Sequence, residues 1–292
     1  MKIEEIRRIA VIGAGFMGSQ IAEILSRQFV CNVNIMDINE ELVKKGIRDI
    51  EQRVENFFVS KGKLTAEDKE RILARIKGVM SIADAVKEAD FVIEAVAERL
   101  DLKKQIFKQL DENAPSHTIL ASNTSFQNIS EIASVTRRPE HVVGTHFFTP
   151  VSVMKLVEVV KGACTSDKTV RLACDLARKL GKEPILCRDT SYGFLANRAY
   201  TAMMNEAIQM VWERIAPPVE IDKAVKLGYN LPIGPLELMD YAGSWQIFVA
   251  SEKDRMRELG PEKGSLHPLV RMMDRAGYNN VYDFWKDILS KW

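Results

Sequence analysis

The stretch that restricts this chain most is "VIGAGFMGSQIAEIL", residues 11–25. The apolar run "RIAVI" leads into it and an amphipathic stretch leaves it. The loop Gly13-Ala14-Gly15-Phe16-Met17-Gly18 therefore lies between a strand and a helix. In that setting each glycine has a physical task. Gly13 permits a tight turn, Gly15 lets a ligand approach the backbone, and Gly18 lets helix and strand pack closely. The exposed N–H groups and the dipole at the helix start favour phosphate. Asp37 ends the next strand-like run, 19 residues beyond Gly18. An acid there accepts hydrogen bonds from ribose hydroxyls and repels a 2′-phosphate. The pattern predicts a dinucleotide site that prefers NAD to NADP, with residues 13–18 and Asp37 as its contacts.

The rest of the first half repeats the same alternation. Strand-like runs at 8–13, 33–37, 89–96, 118–123 and 142–148 are separated by amphipathic stretches. Strand, helix, strand in this order implies an α/β fold, a Rossmann-type, doubly wound and mainly parallel sheet. After "KLVEVV" and one more helix-then-strand pattern ending near Cys187, the periodicity becomes helical, broken by "APPVE", "LPIGP" and "LGPEKGSLHP". Two domains are expected: 1–188 for the cofactor and 189–292 as an all-α domain. The segment 40–63 is long for a crossover and is expected to project as a helical arm. Its Lys44, Lys45, Arg48, Arg53, Lys61 and Lys63 suit a phosphorylated ligand, with Lys61 as the substrate contact.

Bulk properties narrow the function classes. A net charge of +1, from 41 basic and 40 acidic residues, points to neither nucleic acid nor an anionic membrane. No apolar run approaches a membrane span, and "MKIEEIRRIAVIG" does not read as a secretory signal. Cys31, Cys164, Cys174 and Cys187 have no metal-type spacing, so no metal is expected, and reduced thiols in a cytoplasmic protein are.

"HFFTPVSVMKLVEV", residues 146–159, does not read as plain structure. His146 ends an apolar strand, and Glu158 lies twelve positions later among valines. A carboxylate so placed is costly to bury without a partner, and an imidazole would meet the need. Ligands of such sheets bind beyond the carboxyl ends of the strands, where His146, Glu94 and "SNTS" (122–125) all fall. The pair makes a general acid/base for a carbonyl–alcohol interconversion.

Several segments together resemble the 3-hydroxyacyl-CoA dehydrogenase family, especially its short 3-hydroxybutyryl-CoA type. They are "VIGAGFMGSQIA", "ADFVIEAVAERLDLKKQIF", "ILASNTSF", "RPEHVVGTHFFTPVSVMKLVEVV", "GFLANR" and "IDKAVKLGYNLPIGPLELMD". The resemblance implies that NAD is the cofactor, that His146 is the base in oxidation and that Glu158 orients it. It implies that Ser125 and Asn197 position the substrate oxygen and the nicotinamide end of the site, and that Glu98 and Lys103 touch NAD. It also implies an acyl-CoA thioester as substrate and a homodimer formed through the helical domain. Two departures stand out. Thr149 replaces the asparagine of the usual H-F-F-N-P, and the end "RAGYNNVYDFWKDILSKW" lacks the common K-T-G-x-G-F-Y. They leave room for two other readings, a related dehydrogenase of a sugar acid or hydroxy acid without CoA, and an NAD-binding protein without turnover.

Overall fold

The computed structural model describes residues 1–190, 192–240, 244–260 and 266–291. The part of "LGPEKGSLHP" at 261–265 and the final Trp292 lie outside the described residues. The chain forms two compact units, Met1–Phe194 and Leu195–Trp292.

The first unit is built on eight strands: β1 (Arg8–Ile12), β2 (Asn32–Met36), β3 (Ile76–Val79), β4 (Phe91–Glu94), β5 (Ile119–Ser122), β6 (Val142–Phe147), β7 (Leu156–Lys161) and β8 (Glu183–Arg188). They form one sheet in the order β3-β2-β1-β4-β5-β6-β7-β8, parallel throughout except at β6–β7. The central strands β1, β4 and β5 are buried along almost their whole length and mostly apolar, because both faces are covered. Ile9, Val11, Phe91 and Ile93 point into one core layer, and Ala10, Ile12 and Val92 into the other. The order reverses between β1 and β4, which opens a crevice at their carboxyl ends.

Helix α1 (Phe16–Ile24) follows β1 and α2 (Glu40–Val54) follows β2, while α4 (Ile82–Val86), α5 (Leu100–Asn113), α6 (Ile129–Ala133) and α7 (Asp167–Lys179) follow β3, β4, β5 and β7. Asn39 caps α2 by accepting from the Leu42 N–H. The segment 40–63 is not a free arm. Val43, Gly46, Ile50 and Val54 bury one face of α2, and the chain returns through α3 (Ala66–Ala74) to β3. Only the far tip is open, where the Lys61 ammonium lies 5.3 Å from the ring centre of exposed Phe57. β3 is a strand that the apolar runs do not announce. "IKGV" buries a single residue, since it forms the edge of the sheet.

The second unit is helical: α8 (Ala196–Trp212), α9 (Pro218–Tyr229), α10 (Pro235–Asp240), α11 (Ser244–Leu259), α12 (Pro268–Ala276) and α13 (Val281–Asp287). Asp222 of α9 ties it together, accepting from the Leu236 and Glu237 N–H groups at 2.9 and 2.8 Å and from the Tyr282 hydroxyl. Next to it, Asp240 accepts from the Val281 N–H at 3.3 Å, while its buried Oδ1 has no partner. Burial pushes the Asp240 carboxyl up to about 7. The Val281 N–H opposes that shift and the Asp222 and Asp283 charges add to it. The folded state thus holds a proton that the unfolded chain gives up near pH 4. The stabilisation is complete below that pH and is lost as pH rises toward 7. Asp240→Asn keeps an oxygen for Val281 and removes the charge. It should match the wild type at pH 4 and exceed it at pH 8 in chemical denaturation. An equal gain at both pH values would exclude this account.

Candidate active site

The glycine loop has the shape that its spacing predicts. Gly13 adopts φ +106°, and a Cβ there would stand 2.6 Å from the Ala95 carbonyl oxygen. Gly15 caps α1, and nothing lies within 4 Å of the place its Cβ would take. That open approach to a helix N-terminus is what a pyrophosphate requires, so these residues fit a dinucleotide. Ala14 is buried in the turn, Met17 half-buried, and Phe16 faces solvent. Asp37 leaves the end of β2, and its Oδ2 accepts from the Ala14 N–H at 2.8 Å. A carboxylate has further lone pairs for ribose hydroxyls.

The sheet then brings His146 and Glu158 together. β6 and β7 pair antiparallel with these two residues directly opposite, on the same face. His146 Nδ1 lies 2.8 Å from Glu158 Oε2, with the two side chains 5% and 1% exposed. Phe148 and Phe194 stand beside the imidazole, at 4.4 and 5.9 Å between ring centres. A carboxylate on Nδ1 makes that nitrogen the proton-bearing one and turns Nε2 into the nitrogen that exchanges a proton.

The turn that carries Ser125 is fastened to this strand. Asn123 Oδ1 accepts from the N–H of Phe147, the neighbour of His146, at 2.9 Å. From the other side, Glu98 Oε1 accepts from the N–H groups of Ser125 and Phe126 at 3.0 Å and from the Thr124 hydroxyl. Glu98 also meets Lys103, whose ammonium reaches Glu94 as well. Thr149 sits exposed on the turn after β6. That turn is held by Gln20, whose Oε1 accepts from the Val151 N–H at 2.9 Å, and by Lys182, which donates to the carbonyls of Val151 and Met154.

Among the residues singled out from sequence, the first unit thus gathers Gly13–Gly18, Asp37, Glu98, Lys103, Ser125 and His146 around the carboxyl ends of its parallel strands, with Glu158 opposite His146 on antiparallel β7. Lys61 is at the helical tip instead. Asn197 belongs to the second unit, in the first turn of α8. Sequence reasoning assigns no task to Asn123, Gln20 or Lys182. Only Asn123 carried a signal, its place beside Ser125 in "SNTS".

The fold and the glycine cradle together define a dinucleotide-binding α/β protein. Residues 8–190 match the NAD binding domain of 3-hydroxyacyl-CoA dehydrogenase, and residues 193–282 match that family's C-terminal domain. The chain belongs to the 3-hydroxyacyl-CoA dehydrogenase family. It is 38% identical over 271 residues to the 3-hydroxybutyryl-CoA dehydrogenase of Clostridioides difficile, covering 92% of this chain and 94% of the relative. It is 39% identical over 242 residues to the human mitochondrial hydroxyacyl-coenzyme A dehydrogenase, covering 82% and 76%. The crystal structure of (S)-3-hydroxybutyryl-CoA dehydrogenase PaaH1 from Ralstonia eutropha superposes with a TM-score of 0.89. The two are 40% identical, and the match covers 95% of this chain and 99% of that one. The first unit is accordingly an NAD-binding domain. Among the described residues, no helix is long and apolar enough to cross a membrane.

Proposed function

We propose that this protein interconverts a short (3S)-3-hydroxyacyl-CoA and its 3-oxoacyl-CoA, with 3-hydroxybutyryl-CoA and acetoacetyl-CoA as the pair. The observation that carries this reading is the buried His146–Glu158 couple at the end of β6. NAD, when bound, supplies the hydride acceptor. His146 Nε2 takes the proton of the C3 hydroxyl in oxidation and returns it in reduction. Glu158 holds the ring through Nδ1 and stabilises the imidazolium that forms. Ser125, seated beside β6, and Asn197 hold the substrate oxygen. Glu98 and Lys103 serve the nicotinamide end, and residues 13–18 with Asp37 hold the rest of the dinucleotide. Lys61, on its exposed tip, meets the CoA phosphates. The four free thiols accord with a cytoplasmic location.

The second unit acts as substrate and dimerisation domain. Its Ile215, Val219, Leu227 and Tyr229 are each more than half exposed, and a second copy of this chain would cover them. Sedimentation should give a dimer, and Leu227→Glu should shift it toward monomer.

The deciding assay follows NADH consumption with acetoacetyl-CoA and with free acetoacetate. Fast turnover restricted to the thioester supports the reading. Turnover on acetoacetate alone would move the protein to the CoA-independent dehydrogenases, and binding of NADH with no turnover on either would remove the catalytic assignment.

A further inference from the structure

Val151 lies in the turn that joins β6 to β7, five residues after His146 and seven before Glu158. It is buried, so its main-chain groups need partners. Both partners are side chains from distant parts of the chain. The Val151 N–H donates to Gln20 Oε1 at 2.9 Å, and the Val151 carbonyl accepts from the Lys182 ammonium. Lys182 donates to the Met154 carbonyl as well, at 2.8 Å. Inside the turn, the Pro150 carbonyl accepts from the N–H groups of Val153 and Met154, each at 2.9 Å. The turn is thus closed on itself and clamped from outside.

Lys182 is buried too, and these partners are carbonyls, not a carboxylate. Burial, and after it the Arg27 charge, lowers its pKa, while Glu23 opposes them. An ammonium kept in such a place costs free energy that an apolar residue would not, which points to a constraint on where the turn must stand. Gln20 shows what the constraint is. It belongs to α1, and its Nε2 donates to the Phe16 carbonyl at 3.2 Å, in the first turn of the helix behind the glycine loop. One amide therefore connects the helix that begins at the dinucleotide cradle with the turn that follows the imidazole. Phe148 opens that turn, with its ring centre 4.4 Å from that of His146. Hydride transfer needs cofactor and base set against the same carbon, and a misplacement of about 1 Å can cost about 10²-fold.

We propose that Gln20 and Lys182 are positioning residues for the His146–Glu158 couple, acting through the two main-chain groups of Val151. Lys182 holds the turn down, and Gln20 sets its distance from the helix that carries the cofactor. The proposal rests on the functional reading above where turnover is measured. The resonance of the His146 Nδ1–H proton, buried against Glu158, tests it without turnover.

The test compares wild type, Gln20→Leu, Gln20→Glu, Lys182→Met and the double variant Gln20→Leu with Lys182→Met. Gln20→Leu and Lys182→Met should each lower kcat for acetoacetyl-CoA by about tenfold. NADH affinity, by fluorescence titration, should stay within about threefold, because the glycine loop and Asp37 are untouched. The double variant should lose less than the product of the two single losses, since both act on one residue. Gln20→Glu keeps an acceptor for the Val151 N–H and should recover kcat to within about threefold of wild type. In NMR spectra the His146 Nδ1–H resonance should shift or broaden in Gln20→Leu and Lys182→Met. If Lys182→Met does not fold, the two Gln20 variants carry the test. Folded variants with a lower denaturant midpoint but wild-type kcat and an unmoved resonance would make the clamp purely structural and overturn the proposal. NADH affinity weakened about tenfold or more at unchanged kcat would assign both residues to the cofactor loop and overturn it equally. A wild type without turnover would remove the functional reading, and the resonance would still decide whether the clamp sets the couple.

Discussion

Turnover of a His146→Gln variant is expected to fall by about 10²–10⁴-fold, while NADH affinity stays within about threefold of wild type. The asymmetry follows from where the ring stands. His146 is on β6, bonded through Nδ1 to Glu158 on β7, whereas the phosphate cradle follows β1. Glutamine can still fill the space and donate to Glu158, so the buried acid keeps a partner and the fold is spared. What is lost is a group that both takes and returns a proton. Glu158→Gln should produce a smaller loss of about 10-fold to 10³-fold, because the ring remains but its orientation and its charged form are no longer supported. Stopped-flow or steady-state kinetics with acetoacetyl-CoA would measure both. A His146→Gln enzyme with near-normal turnover would mean that another group moves the proton.

The second large effect is steric. A Cβ on Gly18 would stand 1.8 Å from the Gly13 carbonyl oxygen and 2.9 Å from its carbon. Both are backbone atoms, so no rotamer change relieves the clash and α1 must move away from the loop. Gly18→Ala is expected to weaken NADH binding by about 100-fold or more and to lower stability by about 2–3 kcal/mol, read by fluorescence titration and denaturant midpoint. Gly15→Ala provides the contrast. Open space surrounds its Cβ position, so the fold should melt normally while the added methyl stands where the pyrophosphate approaches. Normal NADH affinity in Gly18→Ala would mean that the loop accommodates the methyl, and the close-packing explanation of this glycine would fail.

These two predictions draw on different sources. The cradle is local: strand, three glycines, helix and the acid after the next strand lie within 30 residues, from Arg8 to Asp37. Short-range sterics and the helix terminus dictate its form, so spacing alone is enough to read it. The alternation of apolar runs likewise announces a sheet covered on both faces, and the loss of that alternation after Cys187 announces the helical unit. The edge strand β3 escapes notice for the same reason in reverse, since "IKGV" buries one residue and leaves no apolar pattern.

The His146–Glu158 couple lies between these cases. Its members can be suspected because each is a polar group in an apolar run, but their contact depends on β6 and β7 running antiparallel in one register, inside a sheet that is otherwise parallel. A shift of one residue would put His146 and Glu158 on opposite faces. Further still from the sequence are the bonds among Glu94, Lys103, Glu98 and the 122–126 turn. Lys103 reads as one more helix-surface lysine, and it becomes the centre of a buried charge network because α5 (Leu100–Asn113) lays it against the ends of β4 and β5. Chain-local signals report what a segment does with its own backbone. Which buried charges meet is settled when separate strands and helices close over one another, since only there does the cost of burial select the partner.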